Sequence, residues 1–254
     1  MAESPLHQFQ IETVFKGPAF DVGGVHFDMS ITNSVLAMLI AVGLTALFFL
    51  ASTARASIIP GRMQVMAEGV FGLIDDLTES IIGHDGQQFF PFVFTLFLFI
   101  LSCNLVGMFT YFTATSQVAV TLTLAAMTMI LVIGVGFIRH GLGFFKMFAP
   151  SGVPWYIMPV LVPIEIIAFL VRPVTLTLRL FGNMVGGHIV IKVFAGFIIA
   201  AATIGAAGWA IGALSLSTMV ALTTLEFLVA YLQAFVFAVL ACVYISDVVN
   251  IGHH

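Results

Sequence analysis

One residue of this chain carries a permanent positive charge inside a long apolar run. Arg179 lies in the sequence ValThrLeuThrLeuArgLeuPheGlyAsnMetValGlyGly, residues 174–187. Moving a guanidinium into hydrocarbon costs at least ~2.5–3.5 kcal/mol on insertion scales, and arginine stays charged because its pKa remains above ~12. The charge therefore needs a buried counter-charge, a water-filled cavity or a partner molecule. Arg179 is predicted to be a functional residue.

Three further ionisable side chains flank Arg179 in the same apolar stretch. Glu165, Arg172 and Arg179 are each seven residues apart, so they share one face of a helix over ~21 Å. His188 follows Arg179 by nine residues, which places it on the opposite face of an ideal helix. In the simplest arrangement Arg179 faces a partner while His188 faces the interior of the protein; a distortion of the helix at a proline or glycine would change these directions.

The last apolar stretch supplies matching polar residues, Glu226 and Gln233, again seven residues apart. An antiparallel hairpin that turns at the small-residue cluster 205–208 places Arg179 level with Gln233 and His188 level with Glu226. The two levels are then ~10–14 Å apart at the rise of a helix. An imidazole beside a carboxylate, and a guanidinium beside an amide, are predicted to form a proton relay.

Each of these polar residues also has a structural interpretation. Arg179 could belong to an intramembrane ion pair, and Arg172 could extend its charge towards lipid headgroups. His188 and Glu226 could form a packing contact, and Gln233 could join two helices by an ordinary hydrogen bond. The seven-residue spacing is too long for direct pairing within one helix.

The composition places these residues in a membrane. Of 254 residues, 61% are hydrophobic and 8% are charged, whereas about 25% is typical of soluble domains. The predicted fold class is therefore an all-α polytopic membrane protein. The net charge of −4 is too small and scattered to indicate nucleic-acid binding. Cys103 and Cys242 lie in apolar segments without metal-ligand spacing, and neither a metal nor a cofactor is predicted.

Five membrane crossings and one amphipathic surface helix are predicted. Residues 1–30 form a polar amino-terminal tail without the pattern of a cleavable signal peptide, and residues 31–254 form a single membrane domain. This domain comprises a first span (31–52), an amphipathic helix (60–85), a helical hairpin (89–138) and a second, longer hairpin (155–247). Both stretches of the longer hairpin exceed what an upright helix needs, which implies strong tilt, a break or an in-plane section. Pro159, Pro163 and Pro173 are possible break points in the first stretch.

Basic residues predict the orientation of the chain. Arg55, Arg62, Arg139 and Lys146 flank the first and third spans on one side, whereas the amino-terminal tail has only Lys16. Under the positive-inside rule the amino terminus lies outside and, after five crossings, the carboxyl terminus lies inside.

Two short motifs in the last two apolar stretches occur together. ArgLeuPheGlyAsnMet occupies 179–184, shortly after Pro173, and LeuGlnAlaPhe occupies 232–235. With Glu165 fourteen residues ahead of Arg179, these motifs resemble the signature of subunit a in the membrane (Fo) sector of rotary F-type ATP synthases. The resemblance extends over residues 30–247.

This resemblance implies the stator of a proton-driven rotary motor. Its last two helices, long and strongly tilted, would face an oligomeric ring of small helical-hairpin subunits, each with one carboxylate. Two offset half-channels would load and unload protons on the ring, with Arg179 separating them. Peripheral stalk subunits, protons and the lipid bilayer complete the implied partners. The chain would bind no nucleotide and would not be an enzyme by itself.

The resemblance also implies a proton path. Glu165 would line the half-channel on the cytoplasmic side, and His188 and Glu226 would line the outer one. The histidine precedes the acid here, the order of mitochondrial-type subunits, whereas one bacterial pattern has the reverse. A bacterial inner membrane is nevertheless favoured over a mitochondrial one, and the histidine favours protons over sodium as the coupling ion.

Other residues support or depart from the family pattern. Asn183 and Gln233 would be polar neighbours of the arginine, with Arg172 as further polar support. Asn33 and Gly107 stand where some relatives carry aspartates, so their contribution to the outer half-channel is open. Gly182, Gly186 and Gly187 are predicted to be close-packing positions against a neighbouring helix.

Three other classes of function fit these residues less well than the motor stator. A non-catalytic assembly scaffold would not need Arg179 and the two polar levels. A secondary ion or anion transporter would use Arg179 as a substrate-binding charge, but it would be expected to show internal repeats and paired broken helices. The sequence shows no such repeat. An intramembrane enzyme would need a catalytic motif such as HisGluXaaXaaHis or GlyXaaSerXaaGly, and none occurs in the spans.

Overall fold

The computed structural model describes most of the chain. The described residues are 13–16, 19–22, 25–28, 30–54, 57–83, 85–109, 114–148, 156–201 and 206–250. They fall into two compact units. The first unit comprises the described residues within 1–45, 99–117 and 180–233, and the second comprises those within 46–98, 118–179 and 234–254.

Two short antiparallel strand pairs precede the first helix. Strand β1 (Thr13–Phe15) pairs with β4 (Ile31–Thr32), and β2 (Ala19–Val22) pairs with β3 (Val25–Asp28). These strands lie almost entirely in the segment that the sequence describes only as a polar tail. Each sheet has two strands, so the core of the described residues remains helical.

Six α-helices follow the strands. They are α1 (Asn33–Thr53), α2 (Arg62–Ile82), α3 (Gly86–Phe109), α4 (Val118–His140), α5 (Met158–Ala201) and α6 (Ala206–Val249). Two 3₁₀ segments, Ala114–Ser116 and Gly141–Phe148, flank α4. All helices except α2 are long and apolar enough to cross a membrane. The predicted all-α polytopic fold with five crossing helices is confirmed.

Helix α2 is the amphipathic element. Its buried side chains recur every four or seven residues, at Ala67, Ile74, Thr78 and Ile82, while acidic residues such as Asp76 are exposed. This is the pattern of a helix with one apolar face. The helix ends at Gly83, whose φ of 82° lies in the region that favours glycine.

Helices α5 and α6 are 44 residues long each. At the rise of an α-helix this is ~66 Å, about twice the ~30 Å hydrocarbon core. Helix α5 continues through Pro163 and Pro173, so the break predicted at these prolines is absent. Strong tilt stays a prediction. Part of the predicted turn at 205–208 is wrong, because α6 already begins at Ala206.

In the second unit, polar contacts join helix ends. Arg139 in the last turn of α4 forms an ion pair with Asp85, and it also donates to Gln88 Oε1 at 3.0 Å. The Ser246 hydroxyl of α6 donates to the carbonyl of Ile81 in α2 at 2.8 Å. Of the other basic residues used for the predicted orientation, Arg55 lies outside the described residues.

Candidate functional site

Arg179 is the exposed charge of helix α5. Its side chain is exposed, and within the part of the chain that the structure describes it forms no hydrogen bond or ion pair. The internal ion pair considered for Arg179 is therefore not found there. An arginine that points outward from an apolar helix needs either a water-filled cavity or a counter-charge from a partner molecule.

Arg172 is in a different position, although it is also an arginine of α5. Its Nη1 donates to Asp247 Oδ2 of α6 at 3.1 Å. The guanidinium also lies 4.8 Å from the ring centre of Tyr244 and 5.8 Å from that of Phe169, which adds cation–π attraction. We call Arg172 and Asp247 the closed pair. Arg172 thus joins α5 to the end of α6. Neither prediction for Arg172, polar support of the arginine site or extension towards lipid headgroups, named this partner.

His188 and Glu226 lie together in the first unit, as the hairpin register predicts. His188 Nδ1 is 3.8 Å from Glu226 Oε1, and the two side chains are 16% and 7% exposed. This separation is longer than a hydrogen bond, and Glu226 Oε1 accepts no hydrogen bond from the described residues. We call His188 and Glu226 the open pair. The predicted inward direction of His188 is confirmed.

Gly187 makes room for the Glu226 carboxyl group. A Cβ atom at Gly187 would lie 2.6 Å from Glu226 Oε1 and 3.2 Å from its Cδ, closer than van der Waals contact allows. The prediction of close packing against a neighbouring helix is therefore confirmed for Gly187. At Gly182 and Gly186 a Cβ would meet nothing within 4 Å, so these two glycines pack against no described part of this chain.

Gln233 bonds to a different residue from the one predicted. Asn183 Nδ2 donates to Gln233 Oε1 at 2.9 Å, whereas the hairpin register placed Gln233 level with Arg179, one helical turn earlier. Gln233 is 4% exposed, and its Nε2 has no hydrogen-bond partner among the described residues. Within the first unit, the pairs 183–233 and 188–226 show that α5 and α6 run antiparallel.

Glu165, Asn33 and Gly107 are the remaining positions that the sequence analysis named from the family pattern. Glu165 is half-buried in α5, and it makes no hydrogen bond or ion pair with the described residues. Asn33 begins α1, where its Oδ1 accepts from the Ser34 N–H at 2.9 Å. Gly107 lies in α3. The Asn33 contact is local to the start of α1.

Comparison with known proteins adds to this geometry. The family model for the ATP synthase A chain matches residues 35–246, which include every polar residue of helices α5 and α6 described above except Asp247. The chain belongs to the ATP synthase A chain family.

Curated family members match the chain along its whole length. An ATP synthase subunit a from Rhizobium rhizogenes is 49% identical over 100% of both chains. Another from Mesorhizobium japonicum is 46% identical over 98% of this chain and 97% of its own, and one from Sinorhizobium fredii is 47% identical over 100% of both. With these bacterial relatives and its apolar helices, this chain is a multi-pass protein of a bacterial inner membrane.

Among the polar residues of this A chain family member, the sequence analysis missed Lys192 and assigned no role to Asn104. Lys192 is half-buried in α5, four residues after His188, and it carries the same signal that identified Arg179, a charge within an apolar run. Asn104 in α3 is fully buried. An amide in an apolar span is a weaker signal, because such residues often only join helices.

Asn104 fixes α3 against α6 in the first unit. Its Nδ2 donates to the carbonyl of Ala230 at 3.2 Å, and its Oδ1 accepts from the Thr115 hydroxyl at 2.9 Å. Ala230 lies one turn from both Gln233 and Glu226 along α6. The buried amide therefore holds the part of α6 that carries the polar residues of this A chain family member.

Proposed function

We propose that the chain is the stator subunit a of a proton-translocating F-type ATP synthase. The observation that carries the proposal is the exposed Arg179, whose guanidinium leaves an apolar helix without an ion pair in the described chain. The curated relatives are named ATP synthase subunit a. We infer that a ring of small helical hairpins supplies the missing carboxylate, and that peripheral stalk subunits hold the stator in place.

The glycines that follow Arg179 support a helical partner. Gly182 and Gly186 come three and seven residues after it, so helical spacing puts them close to the face of α5 that bears Arg179. A Cβ at either position would meet no described atom of this chain. Small residues four apart let another helix approach the backbone closely in a membrane. A ring helix on this face would bring its carboxylate within reach of the guanidinium.

Arg179 then couples proton movement to rotation by electrostatics. Opposite charge favours the ionised form of an approaching carboxylate, which promotes release of its proton into the exit half-channel. The fixed positive charge also repels a proton that would cross directly between half-channels. Lysine would fit this role less well, because a buried lysine can neutralise itself by losing its proton.

The open pair is proposed as the outer half-channel relay. Imidazole changes its charge near neutral pH, and Glu226 holds its carboxyl group 3.8 Å away with one oxygen unbonded within the described chain. A small side-chain movement or one bridging water would connect them. Asn183 and Gln233 supply the polar surroundings. Glu165, half-buried in α5, is proposed to line the cytoplasmic half-channel, with the amino terminus outside and the carboxyl terminus inside.

ATP-driven acidification of inverted membrane vesicles tests the proposal. We expect Arg179→Ala to abolish proton pumping while the complex assembles on a native gel and still hydrolyses ATP. Arg172→Ala is the matched control, since it removes an arginine of the same helix that already has a partner in the closed pair. Pumping by Arg179→Ala at the unmodified rate would overturn the proposed function.

A further inference from the structure

Lys192 is a cation of α5 that the proposed proton path leaves without a role. The side chain is half-buried in a helix that is apolar enough to cross the membrane. It forms no hydrogen bond or ion pair with the described residues. A lysine is costly inside a membrane span, and such residues are functional candidates by default.

The position of Lys192 places its charge beside the open pair. It follows His188 by four residues of α5, which puts both side chains on one face with their Cβ atoms ~5–6 Å apart. At this separation a charge on Lys192 acts on His188 through space. Glu226 reaches the same imidazole from α6. His188 therefore has a cation on its own helix and an acid on the helix packed against it.

Few other ionisable groups are present around these three residues. In the helices of the first unit, the described ionisable side chains are Cys103, His188, Lys192, Glu226 and Tyr231. A thiol and a phenol are neutral near pH 7. Lys192 is therefore the one basic side chain besides His188 in the described helices of this unit, and its charge acts on the imidazole of the open pair.

We propose that Lys192 is a positioning residue that sets the pH range over which His188 and Glu226 exchange protons, an inference that rests on the proposed function. Its charge opposes a second positive charge on His188 and favours the ionised form of Glu226. Both effects make the pair give up a proton at lower pH. The relay therefore works on the acidic side of the range that the pair would have alone.

The test is ATP synthesis by the complete complex in inverted vesicles, whose interior contacts the outer half-channel. The internal and external pH are changed by the same amount, so that the pH difference and the membrane potential stay constant. Each variant is compared with the unmodified complex at the same pH values, which removes the effect of pH on the other steps. For Lys192→Gln we expect the pH at half-maximal rate to rise by ~0.5–1 unit, the usual spread of side-chain pKa values in proteins. Lys192→Arg keeps the charge and should leave that pH unchanged.

Two outcomes would overturn the inference. One is an equal loss of rate by Lys192→Gln at every pH, which a packing role alone produces. The other is a shift in Lys192→Arg as large as that in Lys192→Gln. If the glutamine variant does not assemble, Lys192→Met provides the same loss of charge with a side chain of similar length.

Glu226→Gln, measured in the same assay, separates this inference from the proposed function. If Glu226→Gln slows synthesis while Lys192→Gln shifts nothing, the inference about Lys192 fails and the proposed proton path stands. If Glu226→Gln leaves the rate of ATP synthesis unchanged, both the proposed proton path and the inference about Lys192 are wrong.

Discussion

The closed pair in the second unit and the open pair in the first unit both connect α5 with α6, yet their geometry differs. Arg172 and Asp247 are 3.1 Å apart, hydrogen-bonded, and 29% and 39% exposed. His188 and Glu226 are 3.8 Å apart and only 16% and 7% exposed. The two side chains of the more exposed pair are within hydrogen-bond distance of each other, whereas those of the more buried pair are not.

This difference distinguishes a contact that joins two helices from a pair suited to proton exchange. An exposed ion pair is worth only about 0–1 kcal/mol, so the closed pair joins two helices without strongly fixing them. A buried acid with an unused oxygen is costly, and such groups are often found at functional sites. The open pair is therefore the better candidate for proton exchange.

The same chemical change in each pair gives the largest expected contrast. We expect Glu226→Gln to slow proton-driven ATP synthesis about 100-fold, the lower range of what one acid–base group contributes. Asp247→Asn makes the matching change in the closed pair and should alter the rate less than about 2-fold, as expected for an exposed ion pair. Similar losses in the two variants would remove the distinction between the pairs.

Gly187→Ala should give a smaller effect by moving the open pair without changing its chemistry. The new methyl group would meet the flexible end of Glu226, so the helices can remain packed while the carboxyl group moves. Because small misplacements cost catalytic groups up to ~100-fold, we expect proton pumping to fall about 10-fold. Gly196→Ala adds the same methyl group where no described atom lies within 4 Å.

Assembly of the two glycine variants is compared on native gels before pumping is measured. Equal pumping by Gly187→Ala and Gly196→Ala would show that the position of the Glu226 carboxyl group does not matter for transport.

Arg172→Gln should have the smallest effect. It breaks the closed pair but retains a side chain that can donate to Asp247, and the free energy of unfolding should fall by no more than about 1 kcal/mol. Thermal melting of the purified complex measures the loss, and pumping by the same preparation should remain within about 2-fold of the unmodified rate. A collapse of pumping without a change in melting would give Arg172 a direct place in the proton path.

The sequence predicts the helices well because their signal is local. Apolar length indicates the five crossings, and the periodicity of α2 indicates one apolar face. The nine-residue interval between Arg179 and His188 also places the two side chains on opposite faces of an ideal helix. Helix positions, apolar faces and opposite directions depend on local geometry, whereas which face is buried depends on the neighbouring helices.

Side-chain partners between helices were harder to predict. Asn183, not Arg179, meets Gln233, because the relative shift of two helices depends on how their surfaces pack and not only on where the chain turns. Asp247 is 75 residues from Arg172, and nothing in the local pattern joins them. The family resemblance identified which residues matter, but it did not supply these contacts.

Asn104 has a consequence for how the protein is made. Its first partner, Thr115, is eleven residues away along the chain, whereas its second, Ala230, is 126 residues away. At a synthesis rate of ~5–20 residues per second, the second partner emerges about 6–25 s after the asparagine. During biogenesis, helix α3 therefore enters the bilayer before Ala230, the second hydrogen-bond partner of Asn104, has been made. The arrival of α6 supplies that partner.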